Sequence, residues 1–208
     1  MRDVLDSHTH TIASGHAYST MHEMAAAAAE KGLELLAITD HAMAMPGTCH
    51  EYHFMKLFGV EANIIDYDGK LDMDEYLLKK MDVVIASLHT PCIARGTREQ
   101  NTAAYIGAMQ NPYVNIIGHP DDSRFPVDYE KLVLAAKEHH VLLELNNNSL
   151  HPEGAREDPL PNDVVMLQYC MKYQVPVILA SDAHTQEDVG NHCFLKPLLE
   201  CMNFPEEL

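Results

Sequence analysis

The sequence contains two short patterns of potential metal ligands, one near each end of the chain. His8-x-His10 lies near the N-terminus, and Asp182-x-His184 lies near the C-terminus. In extended chain, residues i and i+2 point to the same side, so the members of each pair converge. Imidazole and carboxylate ligands without thiolates suit a catalytic zinc, manganese or iron site better than a structural zinc site. Each pattern is weak alone, but the two together predict a metal centre.

Seven apolar segments of strand length recur along the chain, with helical patterns between most of them. The strand candidates are Val4–Leu5, Leu33–Thr39, Phe58–Ile64, Val83–His89, Val114–His119, Val141–Asn146 and Val175–Ser181. The helix candidates are Thr20–Lys31, Asp72–Lys80, Arg98–Met109, Asp128–His139, Asn162–Tyr173 and, with interruptions, Gln186–Met202. Continuously apolar strands are typical of parallel sheets that are covered on both faces. We therefore expect an α/β fold, either a TIM-like barrel or an open parallel sheet.

Potential ligands or other polar groups stand at the end of each strand candidate. In parallel α/β folds the functional site lies at the carboxyl edge of the strands, so these side chains should meet. The candidate metal ligands are His8, His10, His16, His41, Glu61, His89, His119, Asp182 and His184. Four ligands complete a tetrahedral zinc site, so this set suits two or three ions. Closely spaced ions need a bridging carboxylate, for which Glu61 is the natural candidate.

Length, charge and cysteine content restrict the class of protein. The 208 residues fit one domain, which we expect to cover 1–208. Lys and Arg total 14 against 31 Asp and Glu, for a formal charge of −17, which disfavours long nucleic acid as a partner. The N-terminus lacks a signal-peptide pattern, and no apolar run is long enough for a membrane helix. Five cysteines without a C-x-x-C pair indicate a reducing compartment, so we expect a cytoplasmic protein.

Sequence motifs of other enzyme chemistries are missing. The chain has no G-x-S-x-G nucleophile motif, no G-x-x-x-x-G-K phosphate loop and no G-x-G-x-x-G dinucleotide motif. It also lacks tryptophan and has few basic residues, unlike proteins that bind single-stranded nucleic acid by stacking. Cys92 follows His89 closely, but we interpret it as an idle thiol.

These motifs together resemble those of the PHP family, named for polymerase and histidinol phosphatase domains. The resemblance is carried, in the order found in that family, by Asp6-Ser7-His8-Thr9-His10, Ala37-Ile38-Thr39-Asp40-His41, Gly59-Val60-Glu61, His89, Gly118-His119-Pro120 and Ser181-Asp182-Ala183-His184. Residues 15–20 and 61–64 are similar to the stand-alone YcdX-type phosphatases. The resemblance implies a distorted (β/α)7 TIM-like barrel with three metal ions at the carboxyl ends of its strands.

The resemblance also implies how the ligands are shared. One ion would be held by His8, His10, Glu61 and Asp182, a second by Glu61, His89 and His119, and a third by His16, His41 and His184. The implied reaction is phosphate-ester hydrolysis by a metal-bound hydroxide held by the first of these groups. Zinc is the expected metal, with manganese or iron as alternatives. The chain departs from the family in a short stretch at Met55–Phe58 and in an early C-terminus.

Several other residues have predicted supporting roles. Asp40 and Glu144 are candidates to orient ligand histidines through hydrogen bonds. Phosphate could be bound by Arg95, Arg98, Arg124 or Arg156, and the sequence does not choose among them. The segment Asn146–Asn148 is expected to form a turn. Solvent-exposed helical positions are expected for His22, His139, His140 and His192, whereas His50, His53 and His151 lie in irregular segments.

The sequence predicts a hydrolase acting on a small phosphomonoester. The alternatives are a phosphodiesterase or exonuclease of the same family, and a metal-binding regulatory module without turnover. Neither a membrane nor long nucleic acid is an expected partner, and the sequence leaves the oligomeric state open.

Overall fold

A computed structural model of the protein describes residues 4–50 and 59–208. Its strands are β1 (Leu5–Thr9), β2 (Leu35–Ile38), β3 (Gly59–Asn63), β4 (Val83–Ser87), β5 (Ile116–Ile117), β6 (Leu142–Asn146) and β7 (Val177–Ala180). Its α-helices are α1 (Met21–Lys31), α2 (Glu75–Leu78), α3 (Arg98–Met109), α4 (Tyr129–His139), α5 (Pro159–Tyr173) and α6 (Leu195–Met202). The described residues also include the 3-10 turns Ile12–Ser14 and Gln186–Asp188.

All strand pairs are parallel and follow chain order. β1 pairs with β2, and β3 through β7 form a second sheet in which each strand pairs with the next. Single parallel bridges link the two sheets on both sides: Thr9 to Ala183 between β1 and β7, and His41 to Glu61 between β2 and β3. The predicted α/β fold with parallel strands is confirmed. The strands follow a barrel order, but the ladder is interrupted at these two seams.

Capping residues form hydrogen bonds with the free backbone groups at the ends of several helices. α1 starts with a capping box in which Thr20 and Glu23 exchange side-chain hydrogen bonds, and Gly32 ends it in the left-handed conformation. α3 starts with the same arrangement between Thr97 and Gln100. These helices follow β1 and β4 in the chain, so the loops before them carry the strand-end side chains. Among the described residues, none of the helices is long and apolar enough to cross a membrane.

The core lies between the five-stranded sheet and the helices that cover it. Its largest fully buried side chains include Ile64, Leu132, Leu143 and Met166. Every residue of β3 is buried, including the polar Glu61 and Asn63. β2 differs, because Leu35 is exposed and the described segment 39–50 that follows this strand contains no helix.

Several elements are shorter or start elsewhere than predicted. Val114–His119 contributes only a two-residue strand, since the side chain of Asn115 accepts a hydrogen bond from Val84 N and the chain then turns at His119. α2 starts after Asp74, because Asp72 binds the end of β3 instead. α5 starts three residues early, at Pro159, where proline suits a first helical turn. Gln186–Met202 divides into a 3-10 turn and α6.

The predicted strand start at Phe58, His53 and the short stretch Met55–Phe58 lie outside the described residues.

Candidate metal centre

The nine predicted ligand residues all lie at the carboxyl edge of the strands. His8 and Glu61 lie within β1 and β3, His16 follows the 3-10 turn after β1, and the other six come within four residues of the end of a strand. Gly15 makes the turn that precedes His16, with a φ of 79°, and a Cβ atom there would lie 2.1 Å from the Gly47 carbonyl oxygen. The turn therefore requires glycine. The structure brings all nine side chains into one cluster.

The first group of ligands connects the two ends of the chain. The Nε2 atoms of His8 and His10 are 2.9 Å apart. Oδ1 of Asp182 lies 3.2 Å from Nε2 of His10 and 3.7 Å from that of His8. All three side chains are buried, and one donor atom from each lies within 4.8 Å of the others. The convergence predicted from the two i, i+2 patterns is present in the structure.

Glu61 lies between the ligand groups and turns its two oxygens towards different histidines. Its Oε1 is 2.9 Å from Nε2 of His119 and 3.3 Å from Nε2 of His89. Its Oε2 lies against Nδ1 of His41 and 3.5 Å from Nε2 of His8. This divided geometry is the one that a carboxylate bridging two ions requires.

His41 connects Glu61 to the outer histidines. While its Nδ1 faces Glu61, its Nε2 lies 3.2 Å from Nε2 of His16. The rings of His16 and His184 stack at 4.9 Å between centroids. Donor atoms of His10, His41 and His184 lie within 4.8 Å of one another, so this outer group adjoins the first one.

Two candidate ligands have strained backbones. His119 has a φ of 28° and Asp182 a φ of 54°, in a region that costs a non-glycine residue about 1–3 kcal/mol. Both residues lie two positions after the end of a strand, at the edge where the cluster forms. Strain of this kind is typical of functional sites, where the surrounding structure holds it in place.

Hydrogen bonds fix which ring nitrogen carries the proton in the two central histidines. Nδ1 of His8 donates to Oε1 of Glu144 at 2.6 Å. The hydroxyl of Ser14 donates to Oδ1 of Asp40 at 2.6 Å, so its oxygen accepts from Nδ1 of His10 at 2.9 Å. Glu144 thus contacts a candidate ligand histidine directly, whereas Asp40 acts through Ser14, a residue that no sequence pattern singled out.

The protonation of these rings shows whether the cluster suits a metal ion. With Nδ1 protonated in both His8 and His10, their facing Nε2 atoms are lone-pair acceptors, as is the nearby carboxylate of Asp182. Acceptors at these distances need a cation or an added proton between them. His41 Nδ1 and Glu61 Oε2 are likewise buried without a hydrogen bond among the described residues. The donor set is that of a divalent metal centre.

The charges of the cluster shift its pKa values in opposite directions. Burial alone would lower the pKa of His8. The carboxylates of Glu144, Glu61 and Asp182 outweigh this effect and raise that pKa well above its ordinary value. Burial and the neighbouring histidines His41 and His184 hold the pKa of His10 well below its ordinary value. Without an ion, a proton on His8 partly offsets the three carboxylates. A dication would supply this positive charge instead.

A cavity of about 260 Å³ opens beside the cluster. Six candidate ligands line it together with Arg124 and Arg156. The Arg156 side chain is only 13% exposed and donates from Nη2 to Oδ2 of Asp182 at 3.0 Å. Arg124 makes a bidentate pair with Asp122 at the cavity wall. Arg95 and Arg98 are exposed and do not line this cavity, so the structure favours two of the four predicted arginines.

The structure agrees with the prediction at most of the other predicted positions and differs from it at His192. His22 and His140 are exposed, and His139 is partly buried. His192 is buried, contrary to the prediction, because it belongs to the loop before α6 that packs beside β7, and not to a solvated helix face. Burial, with the nearby carboxylates of Asp72 and Glu61, raises the pKa of Cys92 to about 12, as suits an idle thiol. Asn148 lies in a turn, as predicted, and also lines the cavity.

Curated relatives match along the whole chain. A probable phosphatase of Clostridium novyi is 42% identical to this chain. The match covers 100% of this chain and 90% of the relative. A probable phosphatase of Acetivibrio thermocellus is 45% identical, again with 100% of this chain and 90% of the relative covered. The enzyme class predicted for this chain, a phosphate-ester hydrolase, agrees with these relatives and is confirmed.

A solved structure supports the fold. The zinc-containing histidinol phosphate phosphatase of Lactococcus lactis, crystallised with L-histidinol and phosphate, matches with a TM-score of 0.65 and 16% identity. The match covers 98% of this chain and 95% of that one, which shows a shared fold. The PHP domain family matches residues 6–151, a range that includes seven of the nine candidate ligands. From this match and the full-length relatives, the chain belongs to the PHP domain family.

Proposed function

We propose that this chain is a metal-dependent phosphatase that hydrolyses a small phosphomonoester. The observation that carries the proposal is the position of Glu61. Its two oxygens face separate groups of histidines, beside a cavity lined by Arg124 and Arg156. Such an arrangement can hold adjacent dications and a phosphoryl group at once. Residues 1–208 would form one domain, and its cytoplasmic location stays a prediction.

We assign two or three divalent ions to the cluster, with zinc preferred over manganese or iron. His8, His10, Glu61 and Asp182 would hold the first ion. Glu61, His89 and His119 would hold the second, and His16, His41 and His184 the third. The short distances from Glu61 to His119 and His89, and from His41 to His16, support this division.

In the proposed reaction, bound dications would supply a water of lowered pKa as the nucleophile and positive charge for the phosphoryl oxygens. Arg156 binds the phosphoryl group, since its buried guanidinium faces the cavity and matches phosphate geometry. Arg124 is held rigid by Asp122 and adds a second positive group to the cavity wall. Glu144 and the Ser14–Asp40 pair keep the ligand rings oriented during turnover.

Cavity size and charge support a small substrate. A volume of about 260 Å³ is at the lower end of the range for small-molecule sites. The formal charge of −17 opposes binding of a long polyanion. No observation on the described residues favours a phosphodiesterase or a non-catalytic metal module.

The proposal is tested by comparing an aryl phosphomonoester with the matching bis-aryl phosphodiester, together with elemental analysis of the protein. We expect two to three equivalents of metal and faster hydrolysis of the monoester. Preference for the diester would move the assignment to a phosphodiesterase. A metal-loaded protein without hydrolysis of a broad ester panel would support the non-catalytic alternative.

A further inference from the structure

Asn63 stands between His89 and a carboxylate outside the metal cluster. It is fully buried at the end of β3, two residues after Glu61. Oδ1 of Asn63 lies 2.8 Å from Nδ1 of His89. Its other amide atom, Nδ2, lies 2.7 Å from Oδ2 of Asp72 and 3.3 Å from the carbonyl oxygen of Ala42.

These contacts allow only one orientation of the Asn63 amide. A carboxylate and a carbonyl oxygen accept hydrogen bonds and donate none, so the group that faces them must be the NH2 of Asn63. The amide oxygen therefore faces His89 and accepts a hydrogen bond from its Nδ1–H. This leaves Nε2 of His89 without a proton, at 3.3 Å from Oε1 of Glu61.

Asp72 also accepts hydrogen bonds from two backbone N–H groups. Its Oδ1 accepts from the backbone N of Asn63 at 2.8 Å, and its Oδ2 also accepts from the backbone N of Ala44 at 2.6 Å. Ala44 belongs to the segment that follows His41. The same carboxylate therefore fixes the ring of His89 and the chain that leaves His41, at the seam where β2 and β3 form no continuous ladder.

We propose that Asp72 is a positioning residue for the metal centre, acting through Asn63 to hold His89 in the Nδ1-protonated tautomer that presents Nε2 to the ion. The proposal rests on the proposed role of His89 as a ligand. It does not depend on which ester is hydrolysed, or on whether any is, because tautomer and metal affinity are measured without substrate.

Asp72→Asn tests the proposal because an amide cannot accept from all three N–H groups. Its NH2 would oppose one of the donors, and the Asn63 amide can relieve the conflict by rotating its oxygen towards position 72. That rotation would place an NH2 against His89 and favour the opposite tautomer. We expect the affinity for one ion to fall by about 10–100-fold, as is typical for loss of an outer hydrogen-bond partner.

Asp68→Asn is the matched control, since Asp68 is an exposed carboxylate in the same connection between β3 and α2. It should leave metal affinity, measured by chelator competition with zinc, unchanged. Equal affinities for wild type and folded Asp72→Asn would overturn the proposal.

A measurement on the wild type keeps the proposal testable even if the variant does not fold. In the zinc-loaded protein, nitrogen-15 NMR should show His89 protonated at Nδ1 and zinc-bound at Nε2. Asp72→Asn should weaken or remove this signature, whereas Asp68→Asn should retain it. Protonation at Nε2 in the wild type would overturn the proposal whatever the enzyme's activity.

Discussion

Glu144 and His8 are joined by a 2.6 Å hydrogen bond from the His8 ring to a fully buried carboxylate, across 136 positions of sequence. The second oxygen of Glu144 accepts from the backbone N of His119, also at 2.6 Å. Glu144 therefore orients one candidate ligand through its ring and another through its backbone. His119 is one of the two candidate ligands with a strained backbone, and this bond helps to hold its positive φ.

Glu144→Gln should weaken metal binding without unfolding the chain. The amide keeps one acceptor but opposes the other donor, either His8 Nδ1 or His119 N. We expect the affinity for the most weakly held ion to fall by about 10–100-fold in chelator competition. Glu138→Gln, an exposed change on α4, is the control. Unchanged affinity in Glu144→Gln would show that the ligands hold their own orientation.

His10→Ala should abolish turnover while the fold survives. His10 is a ligand of the proposed first ion, and its ring also has a donor atom within 4.8 Å of those of His41 and His184, so its loss opens the centre of the cluster. We expect more than about a 100-fold drop in kcat, beyond what the loss of an outer partner costs, and a lower metal content. His22→Ala, on the exposed side of α1, should change neither. Near-wild-type turnover in metal-replete His10→Ala would contradict the proposed centre.

Arg156→Ala should impair catalysis more than metal binding. Removing the buried guanidinium takes away a donor to the phosphoryl group, which typically costs about 10²–10³-fold in rate. Arg156→Lys keeps the charge but not the planar fork, so it should recover only part of the loss. The control is Arg95→Ala, because this side chain is 56% exposed and its nearest carboxylate, on Glu157, is 3.9 Å away. Equal kcat/KM values for Arg156→Ala and wild type would exclude the role.

Asp163→Asn should stabilise the protein at neutral pH. Both carboxyl oxygens of Asp163 are buried without a hydrogen bond among the described residues. Burial and the carboxylates of Asp121 and Glu144 raise its pKa well above the ordinary value. An acid with a raised pKa binds its proton more tightly in the folded state. Its contribution to stability is therefore present below the unfolded pKa and is lost as pH rises through the folded pKa.

The measurement for Asp163→Asn is Tm as a function of pH on metal-loaded protein. We expect a gain of about 1–3 kcal/mol at pH 7–8, or roughly 2–10 °C. The gain should shrink towards pH 4, about the ordinary pKa of aspartate, where wild-type Asp163 keeps its proton whether folded or unfolded. Asp82→Asn, at an exposed position, should show no such trend. A constant difference across this range would mean that the carboxyl group does not titrate as proposed.

The strand ends could be predicted from sequence because parallel strands place their carboxyl ends on one edge. Each ligand there follows an apolar run, so its position depends on local pattern and general topology alone. This logic located His41, Glu61 and His89 without knowledge of the distances between them.

The residues that orient the ligands were harder to predict. Ser14 and Asn63 are ordinary polar residues by composition, and their roles depend on side chains from other segments, Asp40 and Asp72. No periodic signal encodes such contacts. Burial of His192 was missed for another reason, since helical periodicity was assigned to all of Gln186–Met202, whereas His192 lies in the loop before α6. Residue type at a strand end indicates a candidate ligand, but only the packed structure identifies its hydrogen-bond partner.

The two seams of the sheet have a consequence for stability. His8 lies in β1, His10 follows β1 and His41 follows β2, whereas β3 to β7 supply the other strand-end candidate ligands. Ions held by both sets would cross-link two sheets that are otherwise joined in the ladder by single bridges at Thr9 and His41. Part of the binding free energy would then close the barrel. Amide hydrogen exchange in β1 and β2 should accelerate after chelation, while β4 to β6 should remain protected.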